Sequence, residues 1–392
     1  MNTKAIFKTM ICLSFLSLNL ISCSDDDDND PGTNGSTPTV VTFDPNNFKG
    51  ELTSGQTASL DPSKVYKLTG GLTIKDGAAL TIPAGTRIEA TGGTSSYVAV
   101  AQGGKIFING TVNSPVVFTS GSSNPTGGDW GGIVLCGKAP INVGNGTATS
   151  EVASLPYGGS DENDNSGVIK YCRIEYAGAA FNSEKEFNGL SLFGVGKGTV
   201  IGYVQAYLGN DDGVEFFGGT VNVNHIISNG NEDDAFDYTE GWNGTAEYIY
   251  TTRRPDQTGN RGVEADNSQV NELATPISSP IIRHATFIGG TSGENDGLKL
   301  RYGTRGNFDD IVISKFTTGI SIEHDSTLNN VSNNSLKVTN VKFDNVSTNS
   351  KGKKSDGTSA DVTAAFTIND NATGAGNGIN VPSWASGWAK NL

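Results

Sequence analysis

The sequence predicts an all-β chain wound as a single-stranded, right-handed parallel β-helix of about a dozen coils. Three observations predict it. The first is composition: 52 glycines and 13 prolines in 392 residues, with 17% charged residues, is the make-up of many short strands joined by turns. The second is a strand of the form Gly/Ala-apolar-x-apolar that recurs six times, at Leu190, Val214, Phe236, Val263, Leu298 and Ile320. The steps between copies are 24, 22, 27, 35 and 22 residues, so a basal coil of about 22 carries insertions in two turns. The third is another strand that keeps step with the first, with its apolar position at Cys172, Val204, Ile226, Ile249, Ala285, Ile311 and Val341. Alternate residues of a strand point to opposite sides. The apolar columns therefore stack inside, and the middle residues Ser191, Glu215, Asp237, Glu264, Lys299 and Ser321 are expected to face solvent in line.

Taken in chain order, residues 1–22 read as a lipoprotein signal peptide. Lys4 and Lys8 precede an apolar stretch, residues 11–20, that is too short to span a bilayer in the mature protein. It ends in Leu20-Ile21-Ser22-Cys23, which resembles a lipobox, so Cys23 is the expected lipid-bearing residue. An ordinary secretory signal with a chance cysteine is the plainer alternative. Residues 23–45 read as the lipidated cysteine and an acidic, disordered tether, opened by Ser24-Asp25-Asp26-Asp27-Asp28. That run resembles a surface-export signal, which would place the protein on the extracellular face of an outer membrane rather than in the periplasm. Residues 46–392 form the β-helix domain. Its early strands lie at Gly71-Leu72-Thr73-Ile74, Ala79-Leu80-Thr81-Ile82, Lys105-Ile106-Phe107-Ile108 and Pro115-Val116-Val117-Phe118. No helix longer than a cap is expected, and Trp384 and Trp388 are expected to plug the last coil as a C-terminal cap.

Removing residues 1–22 takes away two lysines and no acid, which moves the formal charge from −14 to −16. Such a chain does not bind nucleic acid, though it can hold cations. With Cys12 in the signal and Cys23 lipidated, only Cys136 and Cys172 remain. Cys172 falls on an apolar column and reads as a buried thiol rather than half of a disulfide. The expected oligomeric state is a monomer.

Several segments are more specific than the repeat: Trp130-Gly131-Gly132-Ile133-Val134-Leu135, then Asp211-Asp212-Gly213-Val214-Glu215-Phe216-Phe217-Gly218-Gly219, then Asp233-Asp234-Ala235-Phe236-Asp237 with Gly241-Trp242 following. With them, the chain from about Val65 to its C-terminus resembles a family of bacterial surface lipoproteins with right-handed parallel β-helix folds. The resemblance implies fold and location. It implies no reaction.

The middle residues Glu215, Asp237 and Glu264 place three carboxylates on adjacent coils at about 4.8 Å, and the preceding turns add Asp211, Asp212, Asp233 and Asp234. Carboxylates this close repel unless neutralised. Calcium held by Asp211, Asp212, Asp233 and Asp234 is one way. Pairing with Arg253, Arg254, Arg261, Lys299 or Arg301 is a second, and protonation a third. A solvated edge of stacked Asn and Asp residues is the plain alternative. Three function classes follow. An acidic groove with Glu215, Asp237, Glu264 and Trp242 as contacts, and Tyr238, Tyr248 and Tyr250 nearby, suits a non-catalytic protein that binds a glycan or other extracellular ligand. A calcium-dependent polysaccharide lyase would use Arg254 or Lys299 as base, and a glycoside hydrolase would use paired carboxylates. A structural or adhesive rod would present the insertions at residues 254–261 and 270–280. The acids recur through the repeat itself, and His225 and His284 match a tyrosine column, so the sequence favours binding over catalysis.

Overall fold

The computed structural model describes residues 37–182, 185–254, 256, 258–290 and 294–392; the expected signal peptide, Cys23 and the aspartate run lie outside them. No described helix is long and apolar enough to cross a membrane. From Pro38 onward the chain forms one unit, a parallel β-helix in which each strand pairs with the coil before it and the coil after it.

One column of strands, sheet 1, passes through Val98–Val100, Ile133–Cys136, Leu190–Phe193, Val214–Phe217, Phe236–Thr239, Val263–Asp266, Asp296–Arg301 and Thr318–Glu323. The residues expected in line are in line: Ser191, Glu215, Asp237, Glu264, Lys299 and Ser321 are successive register partners. Inside them Leu190, Val214, Phe236, Val263, Leu298 and Ile320 are fully buried. The second series also holds its register from Cys172 to Val341. From Gly167–Glu175 onward, one long strand per coil serves two sheets by bending at a residue in the left-handed region: Tyr171, Tyr203, His225, Tyr248, His284, Asp310 and Asn340, with φ between 50° and 60°. Earlier coils make the same corner with a turn between two strands, as in Ala79–Pro83 and Arg87–Ala90. That difference is why the early repeat has another spacing.

Four expectations need correction. The expected disordered stretch does not extend to residue 45, because Thr39–Val40 already pairs with the strand at Gln56 and Thr57, and Val41 and Phe43 pack on the core. Among the described residues one helix exceeds a cap: Asp325–Ser332, eight residues in a turn between coils. Trp384 and Trp388 do not plug the last coil. Val362 and Ala365 already contribute to the core near that end, and the C-terminal segment returns along the outside of the helix. Trp388 meets the rings of Tyr171 and Tyr203 there, and Trp384 meets His225. Lys390 completes the return by exchanging two hydrogen bonds with Gln205.

The last correction concerns the solvent face of sheet 1, which is not open. Ser191 and Ser321 are fully buried and Lys299 is 6% exposed, while Glu215, Asp237 and Glu264 are half-buried. Early in the column the outward residues are apolar: Ala99, Val134, Cys136, Phe193 and Phe217. Ile141, Val152 and Tyr157, from an excursion after Cys136, cover them together with Phe187 as a second core. Cys136 and Cys172 are both buried free thiols.

Candidate functional site

The acids of sheet 1 are placed by two stacked columns, one in the turn before each strand and one within the strand. The turn residues Asn188, Asp212, Asp234 and Arg261 occupy equivalent positions, since Gly189, Gly213 and Ala235 donate to the carbonyls of Asp212, Asp234 and Arg261 in turn. Three residues later comes the column of Ser191, Glu215, Asp237 and Glu264. Part of the acidity serves this stacking. Asp212 Oδ1 accepts the Asp234 N–H at 2.8 Å, and Asp234 Oδ1 accepts the Arg261 N–H at 2.6 Å.

The ladder divides into a paired half and an unpaired half. On the later coils, Arg261 reaches Asp234 at 3.1 Å and Glu264 at 2.5 Å, and also pairs with Glu294. Arg301 pairs with Glu264 and with Asp266, the latter at 2.8 Å. Lys299 pairs with Glu323 at 2.9 Å. On the earlier coils, Asp211, Asp212, Glu215 and Asp237 have no basic partner among the described residues. Burial, with Asp233 and Glu186 close by, pushes Asp211 up to about 8. Burial is also the main cause for Asp212, Glu215 and Asp237, which all lie well above the usual carboxylate range, with each other's charge adding to it.

Beside the unpaired half lies an open cavity of about 560 Å³, lined by Glu186, Asn210, Asp211, Glu232, Asp233, Thr258, Gly259, Asn260 and Glu294. It adjoins a second of about 610 Å³, which shares Asn210 and Glu232 and adds Tyr176 and Arg254. Asp211, Asp212 and Asp233 bring carboxylate oxygens within 4.8 Å of one another; so do Asp212, Glu215 and Asp237, and so do Asp234, Asp237 and Glu264. The first two sets can hold a hard cation. In the third, the arginines already neutralise two members.

Of the four expected metal ligands, Asp211, Asp212 and Asp233 come together, while Asp234 is committed to Arg261. Of the four expected ligand contacts, Glu215 and Asp237 cluster with Asp212 but do not line the cavity, and Glu264 is held by two arginines. Trp242 is fully buried, packed on Phe216, Phe236 and Tyr238, so it cannot touch a ligand. Its Gly-Trp setting reads like a surface feature, but the turn folds the indole into the coil. Tyr238 and Tyr250 are buried as well, and Tyr248 is stacked between His225 and His284. Arg253 pairs with none of these acids and lies over the Phe316 ring. Sequence reasoning missed Glu186, Asn260 and Glu294, which lie outside the repeated strands. It also missed Asn188, whose place before Gly189 matches that of Asp212 before Gly213.

A family model described as a pectate-lyase-like beta helix domain matches residues 50–389. No curated protein matches the chain.

Proposed function

Since the chain belongs to the pectate-lyase-like β-helix family, we propose that it is a surface-displayed, non-catalytic glycan-binding protein whose acidic groove holds calcium as a bridge to an acidic polysaccharide. One observation carries this reading: five carboxylates line the cavity, while both bases of the lyase alternative are occupied. Arg254 donates from Nε to Gly230 O at 2.6 Å and from Nη2 to Gly209 O at 2.8 Å, and pairs with Glu232. Lys299 is held by Glu323, Asp296 and Glu294. A base with its donors so engaged does not abstract a proton without first breaking them. A cation in the groove, by contrast, relieves the repulsion and leaves coordination positions for sugar oxygens.

The test is affinity electrophoresis in gels containing alginate, polygalacturonate or a neutral glucan, with calcium or with chelator. Retardation by an acidic polymer only with calcium, lost in Asp211→Asn/Asp233→Asn, is the expected result. Ultraviolet absorbance from unsaturated products, abolished by Arg254→Ala or Lys299→Ala, would make the protein a lyase instead. Equal mobility in every gel would leave a display rod.

Display is part of the proposal: Cys23 carries the lipid and the aspartate run directs the body to the outer face of the outer membrane. Protease added to intact cells should release the body. Replacing Asp25, Asp26, Asp27 and Asp28 by Ala should leave a lipidated protein that the protease no longer reaches; equal release from both forms would remove the export role.

A further inference from the structure

We infer that a cavity on the opposite edge of sheet 1 from the acidic groove takes a sulfate ester carried on a sugar, held by Arg305 and Lys197 with no metal. The inference stands whether or not the acidic groove binds a polymer.

The turns that carry Asp211 and Asp233 lead into the strands of sheet 1. Those that leave the strands Val214–Phe217 and Phe236–Thr239, at Gly219 and Gly241, line a cavity of about 580 Å³. That volume lies within the range of about 300–1,000 Å³ that small-molecule sites occupy. Thr275, Pro276, Ile277 and Ser279, from the insertion at residues 270–280, also line it. Its charge is the reverse of the groove's. Five carboxylates and no base line the cavity of about 560 Å³, whereas Lys197 and Arg305 line this one, with Glu162 as its one acid.

Arg305 is the residue that points to a ligand. The chain has 41 acids against 27 bases, and its other arginines are all engaged. Arg87, Arg173, Arg254, Arg261, Arg283 and Arg301 pair with carboxylates, and Arg253 lies over a ring. The Arg305 side chain makes no hydrogen bond, ion pair or ring contact among the described residues, and its Nε is buried without an acceptor. Its backbone is already used: the N–H donates to Ser278 O at 2.8 Å, and the carbonyl accepts from Thr304 Oγ1 at 3.1 Å. The polar group that Arg305 can offer a ligand is therefore its guanidinium. Lys197 is held by its backbone, whose N–H donates to Glu162 O at 3.0 Å and to Thr220 Oγ1 at 3.1 Å. Its Nζ donates to Glu162 Oε2 at 3.0 Å, which leaves two of the three ammonium protons for a ligand.

Glu162 balances one of the two bases, so one positive charge is left over. A sulfate ester is a monoanion with three terminal oxygens, enough to accept from the guanidinium fork and the ammonium together. A phosphate monoester carries about −1.5 to −2 at pH 7, more than the cavity balances beside Glu162. A carboxylate has one oxygen fewer. The rest of the lining suits the sugar. Pro140, Pro276 and Ile277 give an apolar flank. Asn243 donates from Nδ2 to Gly241 O and Ile277 O, and its Oδ1 is left to accept from a sugar hydroxyl.

Isothermal titration of the full chain in chelator tests this, with glucose 6-sulfate, inorganic sulfate, glucose 6-phosphate and glucuronate as titrants. Saturable binding of glucose 6-sulfate is expected, with the other three weaker. Arg305→Lys keeps the charge but loses the fork, and Lys197→Ala loses the second base. Each should weaken binding by about tenfold, the worth of one hydrogen bond to a charged group. Arg305→Met keeps the stem and should abolish binding, while its melting temperature stays that of the parent. Binding that survives Arg305→Met unchanged would overturn the site. Inorganic sulfate bound as tightly as the ester would overturn the sugar, and glucuronate or glucose 6-phosphate bound more tightly would overturn the sulfate. No binding of any titrant would overturn the inference and leave the calcium-dependent reading of the groove standing, since no calcium is present.

Discussion

Tyr203 shows what a single position contributes to this coil. It sits at the corner of its strand with φ of 59°, a conformation that costs a non-glycine residue about 1–2 kcal/mol. Its ring stacks on Tyr171 at 4.3 Å and on His225 at 4.2 Å, with Trp388 edge-on at 5.9 Å. Such aromatic pairs contribute about 0.5–1.5 kcal/mol each beyond burial, so the stack offsets the strain. Tyr203→Ala should lose the stack and keep the strain, for a loss of about 2–3 kcal/mol. Tyr203→Gly loses the same contacts but relieves the backbone, and should be about 1 kcal/mol less damaging, the reverse of the usual order inside a strand. Urea unfolding of both variants measures this; an alanine variant as stable as the glycine one would refute the account of the corner. The column was legible in the sequence as Tyr, Tyr, His, Tyr, His, Asp, Asn preceding an apolar residue. Its left-handed geometry was not, because tyrosine carries no signal for positive φ.

The strands were legible because their alternation is enforced by an apolar interior that repeats every coil. What covers them was not. Ile141, Val152, Tyr157 and Phe187 belong to no repeat, yet they close over the outward face of sheet 1 and turn a supposed solvent edge into a half-buried one. One tie between this excursion and the ladder's own coils is Tyr157, whose hydroxyl donates to Glu240 Oε2 at 2.7 Å. Burial pushes Glu240 up to about 7, against the lowering effect of that hydrogen bond. A carboxyl whose folded pKa is raised contributes stability that is complete below its unfolded value, about 4.3, and lost as pH rises through the folded one. In chelator, the urea midpoint should therefore fall between pH 5 and pH 8, and Glu240→Gln should make that fall smaller. A fall of the same size in the variant would show that Glu240 does not titrate in this range.

Across the whole molecule, sheet 1 runs from apolar outward residues, through unpaired acids, to a stretch where Arg261, Lys299, Arg301, Lys351 and Lys353 balance the remaining carboxylates. The sequence displayed the acids as one ladder, because spacing alone does not say which rungs an arginine from a neighbouring turn will reach. The structure confines the unbalanced charge to the coils around Asp211, Asp212 and Asp233, beside the cavity. That confinement is the basis of the functional reading, and thermal unfolding in calcium against chelator tests it most directly. A ligand that binds only the folded state stabilises it by about 2.7 kcal/mol at one hundred times its dissociation constant. Calcium should therefore raise the melting temperature in proportion to the logarithm of its concentration. The rise should shrink in Asp211→Asn/Asp233→Asn and disappear when Asp237→Asn is added. A melting temperature that is the same with calcium and with chelator would contradict the account.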